Sequence, residues 1–244
     1  MKFSTNISDE HTLISCSSDK TVKLWDERAS KHIKSEKTKG CKNLTWNSDS
    51  TMFAFSNKDD DTISFYDLRK FQLIKQIEFK NKINEFEFDK TNSMILVTSN
   101  TGSILAMDAK TLNDDPIATI DAHFPPVNTI SINQDNTKFL TGAADALICL
   151  WDLNEMLSYK IIKKNDAPIR KALFSHDSKL IACIYEGNNL DIFDAESTEC
   201  IHTLYTENPQ YSIAWHPSSY VLAYCGDDKN RNNVDEGNIH ILSI

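Results

Sequence analysis

Apolar and polar residues alternate along this chain in short runs, not in long amphipathic stretches. The run Leu13-Ile14-Ser15-Cys16-Ser17 breaks at Ser18-Asp19-Lys20 and resumes as Thr21-Val22-Lys23-Leu24-Trp25. Phe139-Leu140-Thr141-Gly142 likewise breaks at Ala143-Ala144-Asp145-Ala146 and resumes as Leu147-Ile148-Cys149-Leu150-Trp151. Such β-rich runs, bounded by Asp, Asn, Gly and Ser, predict hairpins. Ahead of the hairpins lie strands with turns of their own: Leu44-Thr45-Trp46 before Asn47-Ser48-Asp49, Phe86-Glu87-Phe88 before Asp89-Lys90, and Ile130-Ser131-Ile132 before Asn133-Gln134-Asp135. Ala172-Leu173-Phe174 and Ile213-Ala214-Trp215 fill the same slot, and a more polar fourth strand follows, as in Leu73-Ile74-Lys75-Gln76-Ile77. No segment sustains a 3.6-residue apolar period, so helix is expected to be nearly absent. Inner strands apolar at most positions suit sheets packed on both faces.

The third strand of each unit ends in a large residue followed by Asp: Trp25-Asp26, Tyr66-Asp67, Met107-Asp108, Trp151-Asp152 and Phe193-Asp194. Successive Asp positions differ by 41, 41, 44 and 42, inside the roughly 40 to 45 residue period of a WD40 blade. Four strands per unit at that period predict an all-β WD40 propeller. The expected units run over 1–37, 38–79, 80–122, 123–163, 164–206 and 207–244, all within one propeller domain spanning 1–244. The last unit has only three strands, and Met1 to Thr5 is already needed as the innermost strand of the first. Either the ring closes with six blades, or an N-terminal blade is missing. The second is expected, because an open ring leaves two blade faces and a strand edge unpaired.

Composition narrows the class. Hydrophobic residues at 40% and charged residues at 25% are ordinary for a globular domain. No apolar run approaches the roughly 20 residues that span a bilayer, and the first residues lack a signal-peptide core. Six cysteines stand singly, with no C-x-x-C pair, and read as buried thiols of a reducing compartment. A net charge of −9 opposes unaided binding to a phosphate backbone.

Candidate chemistry is sparse, and neither a catalytic nor a cofactor-binding nor a metal-binding residue is expected. His123, Thr141, Asp145 and Trp151 form a set that could be a catalytic His–Asp pair or an internal hydrogen-bond chain. The chain is favoured, with indole donating to hydroxyl, hydroxyl to imidazole and imidazole to carboxylate. Ser15, Asp19 and Trp25 repeat part of it at blade spacing. Ser175-His176-Asp177 spells the letters of a hydrolase triad, but adjacent residues cannot converge as triad members do. Cys200 and His202 share a strand face without completing a zinc site. The basic stretch Arg28, Lys31, Lys34, Lys37, Lys39 and Lys42 reads as solvated strands and loops, with weak RNA contact as the alternative. Asp59, Asp60, Asp61, Asp145, Asp227 and Asp228 all fall in turns between second and third strands, which predicts an acidic rim able to dock a basic partner.

Beyond the generic repeat, several strings in one order resemble the THO complex subunit 3 family of WD40 proteins. They are Lys37-Thr38-Lys39-Gly40, Asn57-Lys58-Asp59-Asp60, Ala144-Asp145-Ala146-Leu147 continuing to Leu150-Trp151-Asp152, Phe174-Ser175-His176-Asp177, Ala214-Trp215-His216-Pro217 and Asp227-Asp228-Lys229. The resemblance covers essentially the whole chain. It implies a seven-bladed propeller lacking one blade here, in a nuclear, non-enzymatic scaffold of the THO/TREX transcription-export assembly. It further implies action in mRNP assembly and mRNA export through other THO/TREX protein subunits, with RNA touched at most indirectly and no membrane or small-molecule substrate. Departures are the scarcity of Gly, at 6 residues, Ala122-His123 in place of a Gly-His entrance, and a long polar loop from Gly226 to Gly237. The alternative is a WD40 subunit of a chromatin-modifying complex of the histone methyltransferase type. An enzyme using the propeller's centre would need converging acid, base or metal groups, and none stands out.

Overall fold

A computed structural model describes residues 2–3, 11–57, 59–226 and 238–244. Every regular element among them is a β-strand. The first sheet holds β1 (Lys2–Phe3), β2 (Thr12–Cys16), β3 (Thr21–Asp26) and β4 (Lys34–Lys37). The second holds β5 (Cys41–Trp46), β6 (Met52–Asn57), β7 (Thr62–Asp67) and β8 (Gln72–Glu78). The third contains β9 (Ile83–Phe88), β10 (Met94–Ser99), β11 (Ser103–Asp108) and β12 (Ala118–Asp121). The fourth contains β13 (Val127–Ile132), β14 (Lys138–Ala143), β15 (Ile148–Asp152) and β16 (Ser158–Ile162). In the fifth are β17 (Ile169–Phe174), β18 (Leu180–Tyr185), β19 (Asn189–Asp194) and β20 (Cys200–Tyr205), and in the sixth β21 (Gln210–Trp215), β22 (Val221–Gly226) and β23 (His240–Ser243). In all six, hydrogen-bonded neighbours are consecutive in sequence. That strand order and the 41–44 residue repeat make each sheet a blade of the WD40 β-propeller class.

Burial within a blade follows the strand order. Some third strands are buried on both faces, as in β7, where Thr62 through Tyr66 are all inside, while β3 buries alternate residues and β23 of the last sheet is largely exposed. Outer strands are polar and exposed, as in β20, where Cys200, Ile201 and His202 face solvent. The chain divides into two compact units, Met1–Val97 with Leu105–Thr119, and Thr98–Ile104 with Ile120–Ile244. In the first unit, one apolar cluster joins Ile14, Val22 and Leu24 to Phe53, Phe55, Tyr66 and Phe71. A second cluster there joins Ile63 and Phe65 to Phe86, Phe88 and Ile95. In the second unit, Leu140, Ile148 and Leu150 pack on Ile181, Cys183 and Phe193. Leu180, Ile184 and Ile192 pack in turn on Ile213 and Leu222. Within each unit, neighbouring blades thus bury a face against one another, which is how a repeat too thin to have its own core becomes stable.

Two turn chemistries recur and explain the repeated polar letters. At the turn between first and second strands, a side-chain oxygen accepts the backbone N–H five residues on. Asn47 takes Met52 N at 2.9 Å, Asp89 takes Met94 N at 2.8 Å, Asn133 takes Lys138 N at 2.9 Å and Ser175 takes Leu180 N at 3.0 Å. These turns put Ser50, Asn92, Asn136 and Ser178 at φ of 54° to 63°, a region that short polar side chains tolerate. At the turn after the third strand, the Asp of the dipeptide accepts backbone N–H groups two or three residues on. Asp152 Oδ1 takes both Asn154 N and Glu155 N at 2.9 Å, and Asp194 Oδ1 takes Glu196 N at 3.0 Å and Ser197 N at 2.7 Å. Asp26, Asp67 and Asp108 cap their turns in the same manner. The Asp repeats because it closes a turn.

Candidate functional site

The fourth blade brings His123, Thr141, Asp145 and Trp151 together. Trp151 stands on β15 with its ring stacked on Phe139 of β14, centroids 5.7 Å apart and planes 6° apart. Its Nε1–H donates to Thr141 Oγ1 at 2.8 Å. Thr141 Oγ1 in turn donates to His123 Nε2 at 2.7 Å, and His123 Nδ1–H donates to Asp145 Oδ2 at 3.0 Å. The Asp145 carboxylate can only accept, so Nδ1 carries the proton of the neutral ring and Nε2 is left to accept from the Thr141 hydroxyl. Gly102 positions the segment that carries His123: its carbonyl accepts His123 N at 3.1 Å. Its φ is +91°, and a Cβ there would lie 2.2 Å from the His123 carbonyl oxygen, so only glycine fits.

The electrostatics favour a structural part. The His123 side chain is 0% exposed and that of Asp145 is 14% exposed. Burial pushes the His123 imidazole below its ordinary value, and Asp145 offsets this only in part, so the ring is neutral at pH 7. Asp145 also accepts Phe124 N at 3.2 Å and Leu147 N at 3.0 Å, closing its own turn. The Thr141 hydroxyl is 0% exposed, with its donor and one acceptor site engaged. A general base and nucleophile must reach a reacting atom within about 3 Å, and this hydroxyl reaches nothing outside the blade.

The first blade repeats two members of the set. Trp25 Nε1–H donates to Ser15 Oγ at 2.8 Å. Asp19 does not join that pair, because its carboxylate accepts Thr21 N at 2.9 Å and Thr21 Oγ1 at 2.7 Å in its own turn. In the fifth blade the slots matching Thr141, Asp145 and Trp151 are Cys183, Gly187 and Phe193, so no hydroxyl, carboxylate or indole stands at them.

Of the acidic turn residues, Asp59 is exposed, and Asp60 and Asp61 are half-buried. Asp60 is engaged, with Lys39 Nζ at 2.7 Å and the Thr62 hydroxyl at 2.6 Å. Burial raises its carboxyl, but Lys39 and Thr62 outweigh this and hold it below the usual carboxylate range. Lys39, Asp60, Thr62, Gln76 and Glu78 line a cavity of about 310 Å³. Asp61 takes a positive φ of 47° in the turn. Asp227 and Asp228 lie outside the described residues. The basic stretch is partly engaged as well. Arg28 pairs with Asp26 at 2.5 Å, Lys34 donates to the Arg69 carbonyl at 3.3 Å, and burial lowers the Lys42 amine.

Ser175, His176 and Asp177 form a turn, where the Ser175 hydroxyl donates to Asp177 at 2.9 Å and the Tyr220 hydroxyl donates to its other oxygen at 2.6 Å. No group of three or more metal-ligating side chains occurs among the described residues. Sequence reasoning missed an ion pair in the fifth blade. Asp191, 0% exposed on β19, accepts from Lys164 Nζ at 2.6 Å, and Lys164 also reaches Cys200 Sγ at 3.0 Å and the Thr203 hydroxyl. The one available signal was an Asp inside the apolar string Leu190-Asp191-Ile192-Phe193, which demands a buried partner.

The family model for the WD domain, G-beta repeat, matches residues 4–26 and 114–152, and that for the anaphase-promoting complex subunit 4 WD40 domain matches residues 141–218. THO complex subunit 3 of Arabidopsis thaliana is 31% identical over 230 residues, which cover 93% of this chain and 72% of that protein. WD repeat-containing protein AAC3 of Dictyostelium discoideum is 27% identical over 96% of this chain and 49% of its own length. Histone acetyltransferase type B subunit 2 of Candida glabrata is 24% identical over 62% of this chain and 38% of its own length. The chain therefore spans half or less of the last two.

Proposed function

Because the chain belongs to the THO complex subunit 3 family of WD40 proteins, we propose that it is a non-catalytic scaffold subunit of a THO/TREX-type assembly in the nucleus. In this reading it serves mRNP assembly and mRNA export by binding other protein subunits, and RNA is met at most through them. The observation that carries the reading is identity of 31% across 93% of the chain and 72% of that relative. The engaged state of the fourth blade supports the non-catalytic part, since its His–Asp–Thr set has no exposed hydroxyl to offer.

Docking through the acidic turn of the second blade rests on Asp59, which is exposed, and not on Asp60, which holds Lys39. Affinity capture of the tagged chain, with mass spectrometry of what co-purifies, tests the assembly. Large helical THO subunits are the expected catch, and Asp59→Lys should lower their yield several-fold. Full co-purification by Asp59→Lys removes the docking turn and leaves the scaffold. A second reading, a subunit of a chromatin-modifying complex, draws support from the match to histone acetyltransferase type B subunit 2. Capture of a methyltransferase or acetyltransferase core in place of THO subunits would replace the first reading with the second.

A further inference from the structure

Cys16 ends β2 and Cys41 opens β5, in the first and second sheets of one compact unit. Their meeting is built by the backbone. The Cys41 N–H donates to the Ser17 carbonyl at 3.1 Å, and the Thr38 N–H donates to the Lys20 carbonyl at 2.8 Å, which folds the link after β4 onto the turn after β2. Gly40 takes a φ of 107° and donates its N–H to Thr38 Oγ1 at 3.2 Å, and that hydroxyl lies 3.3 Å from Cys41 Sγ. Both cysteines pack in one apolar cluster, Cys41 inside it and Cys16 at its edge, close enough for each thiol to shift the titration of the other.

We propose that Cys16 and Cys41 are an oxidative modification site, which a peroxide converts to a disulfide joining the first sheet to the second. The neighbouring Cys16 thiol, with help from Thr38 and the Ser17 backbone and against burial, lowers the Cys41 thiol to about 7, while Cys16 is pushed up as the proton-bearing partner. The Cys41 thiolate attacks one peroxide oxygen. The O–O bond breaks, hydroxide leaves, and the sulfur becomes a sulfenic acid. The Cys16 sulfur then attacks the sulfenic sulfur, and its proton departs with the hydroxyl as water. In sum, two thiols give up two electrons and two protons, and one peroxide becomes two waters. The other buried thiols do not compete. Burial pushes Cys149 up to about 12 and Cys183 higher still, so neither forms the thiolate that reacts. Cys41 is 5% exposed and Cys16 is half-buried, which suits an oxidant as small as hydrogen peroxide.

The test treats the folded full chain with a modest excess of hydrogen peroxide at pH 7, then counts thiols and maps unreduced tryptic peptides. The expected result is residues 3–20 joined to residues 40–42 and released by dithiothreitol, with at least two of the six thiols lost. Cys16→Ser should abolish the joined peptide and let Cys41 run on to the sulfinic acid. Loss of thiols without the joined peptide in the wild-type chain overturns the proposal, as does a link that forms only after denaturation. The wild-type map decides even if the variant fails to fold.

Discussion

The fourth and fifth blades share strand order and turn chemistry, yet they fill the space beneath the dipeptide aromatic in opposite ways. In the fourth, Thr141 of β14 faces Cys149 of β15, and the hydroxyl links Trp151 to His123. In the fifth, Cys183 of β18 faces Asp191 of β19, and the carboxylate turns to Lys164 while Phe193 is simply packed. An indole brings an N–H that must be satisfied once buried, and a phenyl ring does not. A tryptophan therefore calls for a hydroxyl beneath it, as Ser15 serves Trp25 and Thr141 serves Trp151, and a blade with Phe folds without one. His123 and Asp145 extend that bond within the fourth blade, and we read them as part of its hydrogen-bond network and not as a catalytic pair.

The largest expected effect lies in the fifth blade. Lys164→Met leaves the fully buried Asp191 without its cation, and removal of one member of a buried pair costs about 3–5 kcal/mol. Urea unfolding should report a loss near the lower figure, because the Lys164 side chain is 30% exposed. Adding Asp191→Leu should recover most of it. Next comes Thr141→Val in the fourth blade, which strands both the Trp151 N–H and His123 Nε2 and should cost about 2–3 kcal/mol. The matching change in the fifth, Cys183→Ala, removes no strong hydrogen bond and should cost about 1 kcal/mol. Equal losses at the two positions would break the contrast between wired and packed blades.

A smaller effect comes from pH. The folded His123 imidazole lies below the ordinary value of 6.5, so the unfolded chain binds the proton more readily. Its contribution is fully present above about 6.5 and is lost as pH falls through the folded value. The urea midpoint should therefore drop between pH 7.5 and 5.5, and His123→Gln should flatten that drop while lowering stability at pH 7.5. An unchanged slope in the variant would assign the pH dependence to other groups. Smallest of all is Lys160→Met on the outer strand of the fourth blade, whose amine meets the Glu196 carboxylate at 3.6 Å, with that side chain 86% exposed, and donates to the Glu196 carbonyl. Thermal melts should move by no more than about 0.5 kcal/mol equivalent.

What the sequence made legible was local. Each dipeptide Asp caps a turn two or three residues ahead, and Asn47, Asp89, Asn133 and Ser175 bond five residues ahead, so these devices recur at a readable spacing. The His123 set was legible for a related reason, since Thr141 and Trp151 are ten residues apart across one hairpin. The Cys16–Cys41 contact, the Lys39–Asp60 pair and the Lys164–Asp191 pair were not legible. Each joins strands or links whose spacing in sequence bears no fixed relation to their lateral register, and a lysine run looks the same whether its amines are solvated or engaged. The acidic turn of the second blade shows the cost of this: three consecutive Asp letters looked equivalent, while the fold places Asp59 outside and commits Asp60 to Lys39.

The claim that the fourth blade's polar set is a structural unit is tested most directly by a double-mutant cycle on Thr141→Val and Trp151→Phe, read by urea unfolding at pH 7.5. Once the indole donor is gone, the hydroxyl should matter less, so the two losses should fall short of additivity by about 0.5–3 kcal/mol. Strict additivity, with a coupling of zero within error, would contradict it.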